Sequence, residues 1–516
     1  MPANRLAGAA ALVLLFVASS VSAVSLSING VGQALIYPYY TVNKSQDTLI
    51  SVVNASDISK AVQVRFLEGY NGRDTLGFVL YLSPHDVWTA AISQTADDGG
   101  AILTTSDASC TYPQIPSSGV QMTSLGYDGT GPLPADGGPT GITRTREGSI
   151  EFLVGADITP ASPTDIAITH VQNNTPGGGV PPGCATLNST SAIPDEVAPS
   201  GGIYGSGTII NVGQGTFFAY NADAIQGFTS IPLFSPAADA IISLQDANSS
   251  EAVAGVATAY VPDERGVPFA IDYAFGVDAV SAAFMADTIY NEYIIAASLG
   301  ANTDWVVTFP TKRFYVDPIY GAVPFAPFTS PFAAPGQAPV DVTASSYDRE
   351  ELLTDIIGGP CVICPPPLPL PALTYEVNVV AWNNEFIPGT PSGVFGSTLT
   401  NLFIPTNSDE GNMVLQFSND PTQPPSLPGG EDAQGANVSL QGLPVTGFMA
   451  YNVINANAQP GMLANYSGVF PHRSTVSCQG GSGTETCGAI ITGAAESVGR
   501  ARSSAAMTPS VRGEWP

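Results

Sequence analysis

The residues able to do chemistry are few in this chain, and their spacing matches no catalytic constellation. Histidine occurs only at His85, His170 and His472. A Ser-His-Asp relay places a histidine between nucleophile and carboxylate. The chain has no complete G-x-S-x-G elbow and lacks the α/β pattern that carries one. His85 sits in a turn beside Asp86, where capping of local backbone is the simpler role. Cys361-Val362-Ile363-Cys364 has the short spacing of half a zinc site, but no second pair matches it. Three prolines follow it, where a redox motif needs a strand–helix context. Carboxylate pairs could serve glycoside hydrolysis, but acids are so plentiful that Asp348, Glu350 and Glu351 stand out for nothing. Oxygen ligands suit calcium better than zinc. No EF-hand loop occurs, and the densest acidic turn is Asn407-Ser408-Asp409-Glu410-Gly411-Asn412. Phosphate-binding glycine loops are also absent. The expectation is a chain without catalytic residues or cofactor, calcium being the one ion that suits the composition.

The elements that must position any site are strands. Between Thr48 and Ser93 four of them follow one another. In Ala61 to Glu68, Val62, Val64 and Phe66 share one face and Gln63 and Arg65 the other. This period of two predicts a strand with one apolar and one wet side. Leu76, Phe78, Leu80 and Leu82 alternate in the same way, as do Trp88, Ala90 and Ile92. Thr48 to Asn54 is apolar on both faces, as a central strand would be. Asn71-Gly72 suits a tight hairpin turn, and Pro84 in Ser83-Pro84-His85-Asp86 cannot continue a ladder.

Outside this block, Val24 to Tyr40 leads in with one or two strands. Residues 97–143 read as a Gly/Pro-rich loop or hairpin insertion. Ser149 to Val154 returns to strand pattern, and Asp165 to Val171 reads as a further strand. Tyr204 to Asn221 predicts two strands around Gly213-Gln214-Gly215. Ala279 to Tyr293 is the one convincing helix, with Ala282, Met285, Ile289 and Tyr290 near helical spacing. Asp304 to Asp317 reads as strand, Pro310 turn and second strand, and carries Lys312 and Arg313. Tyr375 to Trp382 and Met413 to Phe417 are further strands. Phe217–Asn221 and Phe448–Asn452 echo each other as FFAYN and FMAYN. Tyr37, Tyr39, Tyr40, Tyr315 and Tyr320 could stack on a sugar or a partner, though aromatics in strands more often pack a core.

The fold class expected is therefore mainly all-β: two or more immunoglobulin-like β-sandwich domains with long Gly/Pro-rich loops and one short helix. A first sandwich would span 24–200. A C-terminal β-rich part would span 201–473, with a Pro-rich segment at 365–371. A Gly/Ser/Ala-rich tail would fill 474–516.

Residues 1–23 read as a secretory signal peptide, with Arg5, an apolar core from Ala7 to Ala18 and Val21-Ser22-Ala23 as cleavage site. No later run reaches the ~18 apolar residues of a membrane helix. The formal net charge is −28, with 15 Lys+Arg against 43 Asp+Glu. Such a surface repels nucleic acid and anionic lipid. In an exported chain, cysteines read as disulfides. Proximity favours Cys361 with Cys364 and Cys478 with Cys487, leaving Cys110 with Cys184, although six cysteines allow 15 pairings.

Four phrases, VRFLEG (Val64–Gly69), LYLSPHDVW (Leu80–Trp88), DWVVTFPTKRFYVD (Asp304–Asp317) and GFMAYNVINANAQPG (Gly447–Gly461), together resemble exported or cell-surface proteins of Gram-negative bacteria with no assigned activity. The resemblance implies export and a β-rich fold, and it brings no site residue with it. The expectation is an exported, non-enzymatic protein of the cell surface, extracellular space or periplasm. Its role would be structural or adhesive, toward protein or glycan, with self-assembly open. A polysaccharide hydrolase and a calcium-dependent surface-layer component are the rivals.

Overall fold

The structure, a computed structural model, describes residues 23–482 apart from 97–98, 172–178, 188–193, 234–240, 249–255, 263–266, 322, 356–371, 383–389, 401, 405–407, 419–423 and 456–463. The chain is mostly β and folds into several packed sheets. The four expected strands form as Asp47–Asn54, Lys60–Glu68, Asp74–Leu82 and Val87–Gln94. They divide between two sheets. Lys60–Glu68 lies between Asp74–Leu82 and Glu147–Ile158, and Ala34–Thr41 lies beyond the latter. Asp47–Asn54 is central in the second sheet, between Val87–Gln94 and Ile203–Asn211. Gly72 takes the positive φ of 65° that the hairpin turn requires.

Side chains from both sheets make one apolar core. Val62, Val64, Phe66, Phe78, Leu80, Ile150 and Phe152 of the first sheet meet Ile50, Val52, Trp88 and Ile92 of the second. Tyr37, Tyr39 and Tyr40 are buried there too, as packing residues. Gly205 and Gly207 make room for tyrosines from inside. A Cβ on Gly205 would stand 1.8 Å from the Tyr37 hydroxyl, and one on Gly207 2.3 Å from the Tyr220 ring.

The expected boundary near residue 200 falls inside this sandwich. The Ile203–Asn211 and Thr216–Asn221 hairpin completes the second sheet. Asp223–Gln226 pairs with Ala34–Thr41 in the first. Cys110 is bonded to Cys184, and Cys478 is disulfide-bonded. Cys361, Cys364, Cys487, the 365–371 segment and the tail from 483 lie outside the described residues.

The second half holds three further sheets of five strands. One is built on Ala301–Thr308, between Val377–Trp382 and Thr446–Val453. It packs through Trp305 and Trp382 on Tyr293 of the sheet around Thr288–Ile294 and Glu410–Gln416. The third runs from Ala257–Pro262 to Cys478–Gly480. The FFAYN and FMAYN strands are not equivalent. Phe218 and Tyr220 enter the shared core from one, and Phe448 and Ala450, of opposite parity, from the other.

There are three short α-helices among the described residues where one was expected: α1 (Pro163–Ile168), α2 (Gly276–Phe284) and α3 (Lys312–Val316). α1 replaces the strand read at 165–171, because Ser162 caps it and Pro163 opens it. α2 ends at Phe284, and Thr288–Ile294 is a strand paired over all seven positions with Glu410–Gln416. The apolar spacing there fits both periods, and the partner strand decides. α3 replaces the second strand after Pro310. Its five residues are all buried, held by tertiary contacts that override their aromatic and β-branched preference.

Candidate functional surface

The residues singled out for chemistry do not converge. His85 is exposed and pairs locally with Asp57 at 2.8 Å. His170 does approach Ser83 and Asp86, at 3.3 and 3.5 Å, but both through Nδ1. A relay needs one ring nitrogen for each partner. His472 has both nitrogens engaged. Nε2 donates to the Val306 carbonyl at 2.9 Å, and Nδ1 accepts from Asn291 at 3.1 Å. Burial pushes it down to about 4, so it is neutral at physiological pH. Asp348 caps its own turn, accepting from the Glu350 and Leu352 amides at 2.9 and 2.8 Å. Asn407 lies outside the described residues, and Glu410 of the same turn pairs with Arg349 at 2.6 Å. Among the described residues no three His, Cys, Asp or Glu side chains gather as a metal site. Tyr315 is buried in the core. No described helix is long and apolar enough to cross a membrane.

The charged side chains that do gather are inside. Gln63 and Arg65 point away from the sandwich core, as alternation predicts, but this side is not wet. Arg65 holds Asp74 with Nε and Nη2 at 2.9 and 2.7 Å, and Glu151 with Nη1 at 3.1 Å. Arg313 arrives on α3 and binds both Glu151 and Glu376, the latter at 2.6 Å. Arg73 holds Asp317 through two nitrogens, at 2.6 and 2.8 Å. Arg144 holds Glu68 the same way, at 2.6 and 2.8 Å, and also Asp136. These carboxylates come in pairs, as a hydrolase would need. Each pair is already clamped by a guanidinium, however, and Glu151 and Glu376 have side chains only 2% and 1% exposed. What the arrangement does is fasten the second half onto the first sheet.

The outer face of the second sheet is the opposite. Its outward positions alternate with the core positions already described. They are Leu49, Ser51 and Val53 on one strand, and Val87, Thr89, Ala91 and Ser93 on the next. Ile102 and Thr104 follow on one side, and Tyr204, Ser206, Thr208, Ile210, Phe217 and Ala219 on the other. None of these side chains carries a charge, and Asp47 marks the corner. Leu49, Val87, Tyr204 and Phe217 are 40%, 47%, 43% and 61% exposed, so the face is open to solvent. Small residues flank Leu49 across its middle, in register Thr208–Leu49–Ala91–Thr104 and Ser206–Ser51–Thr89. They floor a shallow groove of about 630 Å³. Small side chains on a pleated surface leave the face flat. Its edge strand, Thr216–Asn221, is closed off by Ser467, whose hydroxyl bridges the Phe217 amide and carbonyl at 3.2 and 2.6 Å.

Asp47–Asn54 is a central strand, as its sequence predicts, but its apolar outer residues Leu49 and Val53 gave no sign that this face is open, and Ile102 and Thr104 of the same face lie in the stretch read as a loop or hairpin insertion. The signal that could have found it is the near absence of Lys, Arg, Asp and Glu at one parity over five strands, Asp47 at the corner being the exception. No protein-family model matches the chain, and neither a curated protein nor a solved structure was found similar to it.

Proposed function

We propose that this is an exported, non-enzymatic surface or extracellular protein with a structural or adhesive role, which meets a neutral partner through the uncharged face of its second sheet. The observation that carries this reading is the contrast between a chain of net charge −28 and an exposed face whose only charged side chain is Asp47 at its corner. Water-facing sheet sides are ordinarily polar and charged. Covering this one strips water from hydroxyls and methyls, and from no ion, so docking avoids the heavy cost of burying charge. Elsewhere the acidic surface repels acidic neighbours. Five strands about 4.8 Å apart and about seven residues long offer roughly 500 Å² per side, near the lower bound for a specific contact. The Cys110–Cys184 bond fits an oxidising compartment outside the cytoplasm.

The test combines light scattering and electron microscopy, with calcium and with chelator, and a glycan-binding screen. Thr89→Lys and Ser206→Glu are compared with the parent protein. The expected result is binding or assembly by the parent that both variants lose while keeping their fold. Variants that bind as the parent does would remove the face from the proposal, and hydrolysis of a polysaccharide by the parent would replace it with an enzyme.

A further inference from the structure

A second cavity, of about 430 Å³, opens where residues 26–28, the end of α2 and the Thr446–Val453 strand meet. Its size lies in the range of small-molecule sites. Leu26, Phe284, Met285, Ile289 and Val445 make its walls mostly apolar. One carboxylate stands among them. Asp223 opens the Asp223–Gln226 strand, and its Oδ2 accepts a hydrogen bond from the Thr446 hydroxyl. No Lys, Arg or His pairs with Asp223 among the described residues.

Most other interior carboxylates have an answer to their charge. Glu151, Glu376 and Asp317 have arginines, and Asp157 has Lys60 at 2.8 Å. Asp304 is unpaired too, but is closed in by Ser392 and by the Val394 and Phe395 amides at 3.1 and 2.8 Å. Asp223 instead lines a space that a ligand can enter. His472 shares the cavity wall, but both of its nitrogens are spent on Val306 and Asn291. The polar character of the site thus rests on Asp223 and its hydroxyl neighbour. Burial pushes the Asp223 carboxyl up to about 6, so at neutral pH it is ionised and short of a counter-charge.

We infer that this cavity binds a small organic cation, an ammonium group on a compact aromatic or alkyl body. The ammonium pairs with Asp223 while the body lies among Phe284, Met285, Ile289 and Val445. The overall negative charge of the chain raises the local concentration of such cations, and the apolar walls select those with a hydrophobic body over simple metal ions.

The test uses three probes of one shape: benzylammonium, benzyl alcohol and benzoate. Binding to the purified chain is followed by calorimetry and ligand-observed NMR. Benzylammonium binds best, the alcohol about tenfold or more weakly, as expected for loss of a charge-assisted hydrogen bond, and benzoate least. Asp223→Asn, which keeps an acceptor for Thr446, brings benzylammonium down to the level of the alcohol. Asp57→Asn, at an exposed site, leaves the preference intact and so separates the site from general attraction to an acidic protein. Ala283→Trp fills the cavity and abolishes binding of amine and alcohol together, which keeps the test open should Asp223→Asn fold poorly. Equal binding of the three probes, no binding at millimolar concentration, or a preference that survives Asp223→Asn or Ala283→Trp overturns the inference.

Discussion

The two sheets of the first sandwich treat charge in opposite ways. The first sheet presents Arg65 and Glu151 on its outer side and has them covered by α3 and its surroundings. The second presents serines, threonines and aliphatic residues on its outer side and leaves them to water. Lys60, Arg65, Arg73, Arg144, Lys312 and Arg313, out of 15 basic residues in the chain, are buried. Five of these six hold carboxylates inside the protein, and Lys312 holds a carbonyl. Buried pairs add little net stability over a well-packed apolar contact, but they punish misalignment, because a stranded charge is costly. Charge here fixes how the two halves sit on each other, and the uncharged side is the one left to water.

Breaking the charged side carries the largest expected effect. Arg313→Met leaves Glu376 buried without its partner and costs about 3–5 kcal/mol, read from urea denaturation. Arg313→Met with Glu376→Leu recovers most of that loss, since Glu151 keeps Arg65. A failure of the double variant to recover would mean that the pair contributes stability and not only alignment. Next comes Gly205→Ala, which pushes a methyl into the Tyr37 hydroxyl behind the open face and costs about 1–3 kcal/mol by overpacking.

The third prediction concerns pH. Lys312 is buried, donates to the Tyr375 carbonyl at 3.0 Å and lies near the Phe309 and Phe328 rings. Desolvation lowers it to about 7. Between that value and the ordinary lysine range the unfolded chain holds a proton that the folded chain lacks. Stability therefore rises with pH across this window and falls as pH drops toward 7. Lys312→Met removes about 1–2 kcal/mol of that pH dependence between pH 9 and 7, seen by comparing urea midpoints. The smallest effect belongs to the open face. Thr89→Lys changes folding stability by less than about 0.5 kcal/mol and leaves the pH profile unmoved. A large loss would show that the face is part of the packed structure.

Much of the fold was legible because local pattern and fold agree over the first four strands. Val62, Val64 and Phe66 face the core as their alternation says. The same alternation could not reveal that Gln63 and Arg65 are covered, because the cover comes from α3, some 250 residues on in the numbering. α3 was itself misread, since Phe314, Tyr315 and Val316 favour strands by type and become helical by burial on all sides. At Met285 the chain passes from helix to strand through residues whose spacing suits either, and only the partner strand resolves it. The open face was hidden for a related reason. Leu49 and Val53 look like core residues, and exposure is a property of what fails to pack on them. The cavity around Asp223 draws on segments from Leu26 to Val476, a proximity with no trace in local sequence.

The ion pairs beneath the first sheet also set the order of events in folding. Arg313 reaches back 162 residues to Glu151, and Asp317 accepts from Arg73 across 244. As the chain emerges from its amino end, strands up to Gln226 can pair, but Arg73 and Glu151 lack Asp317 and Arg313 until α3 and its neighbour exist. Contacts of such long separation form late and slowly. The sandwich is therefore expected to mature only once the segment from α3 to Glu376 has been made, not as a domain that finishes first and waits.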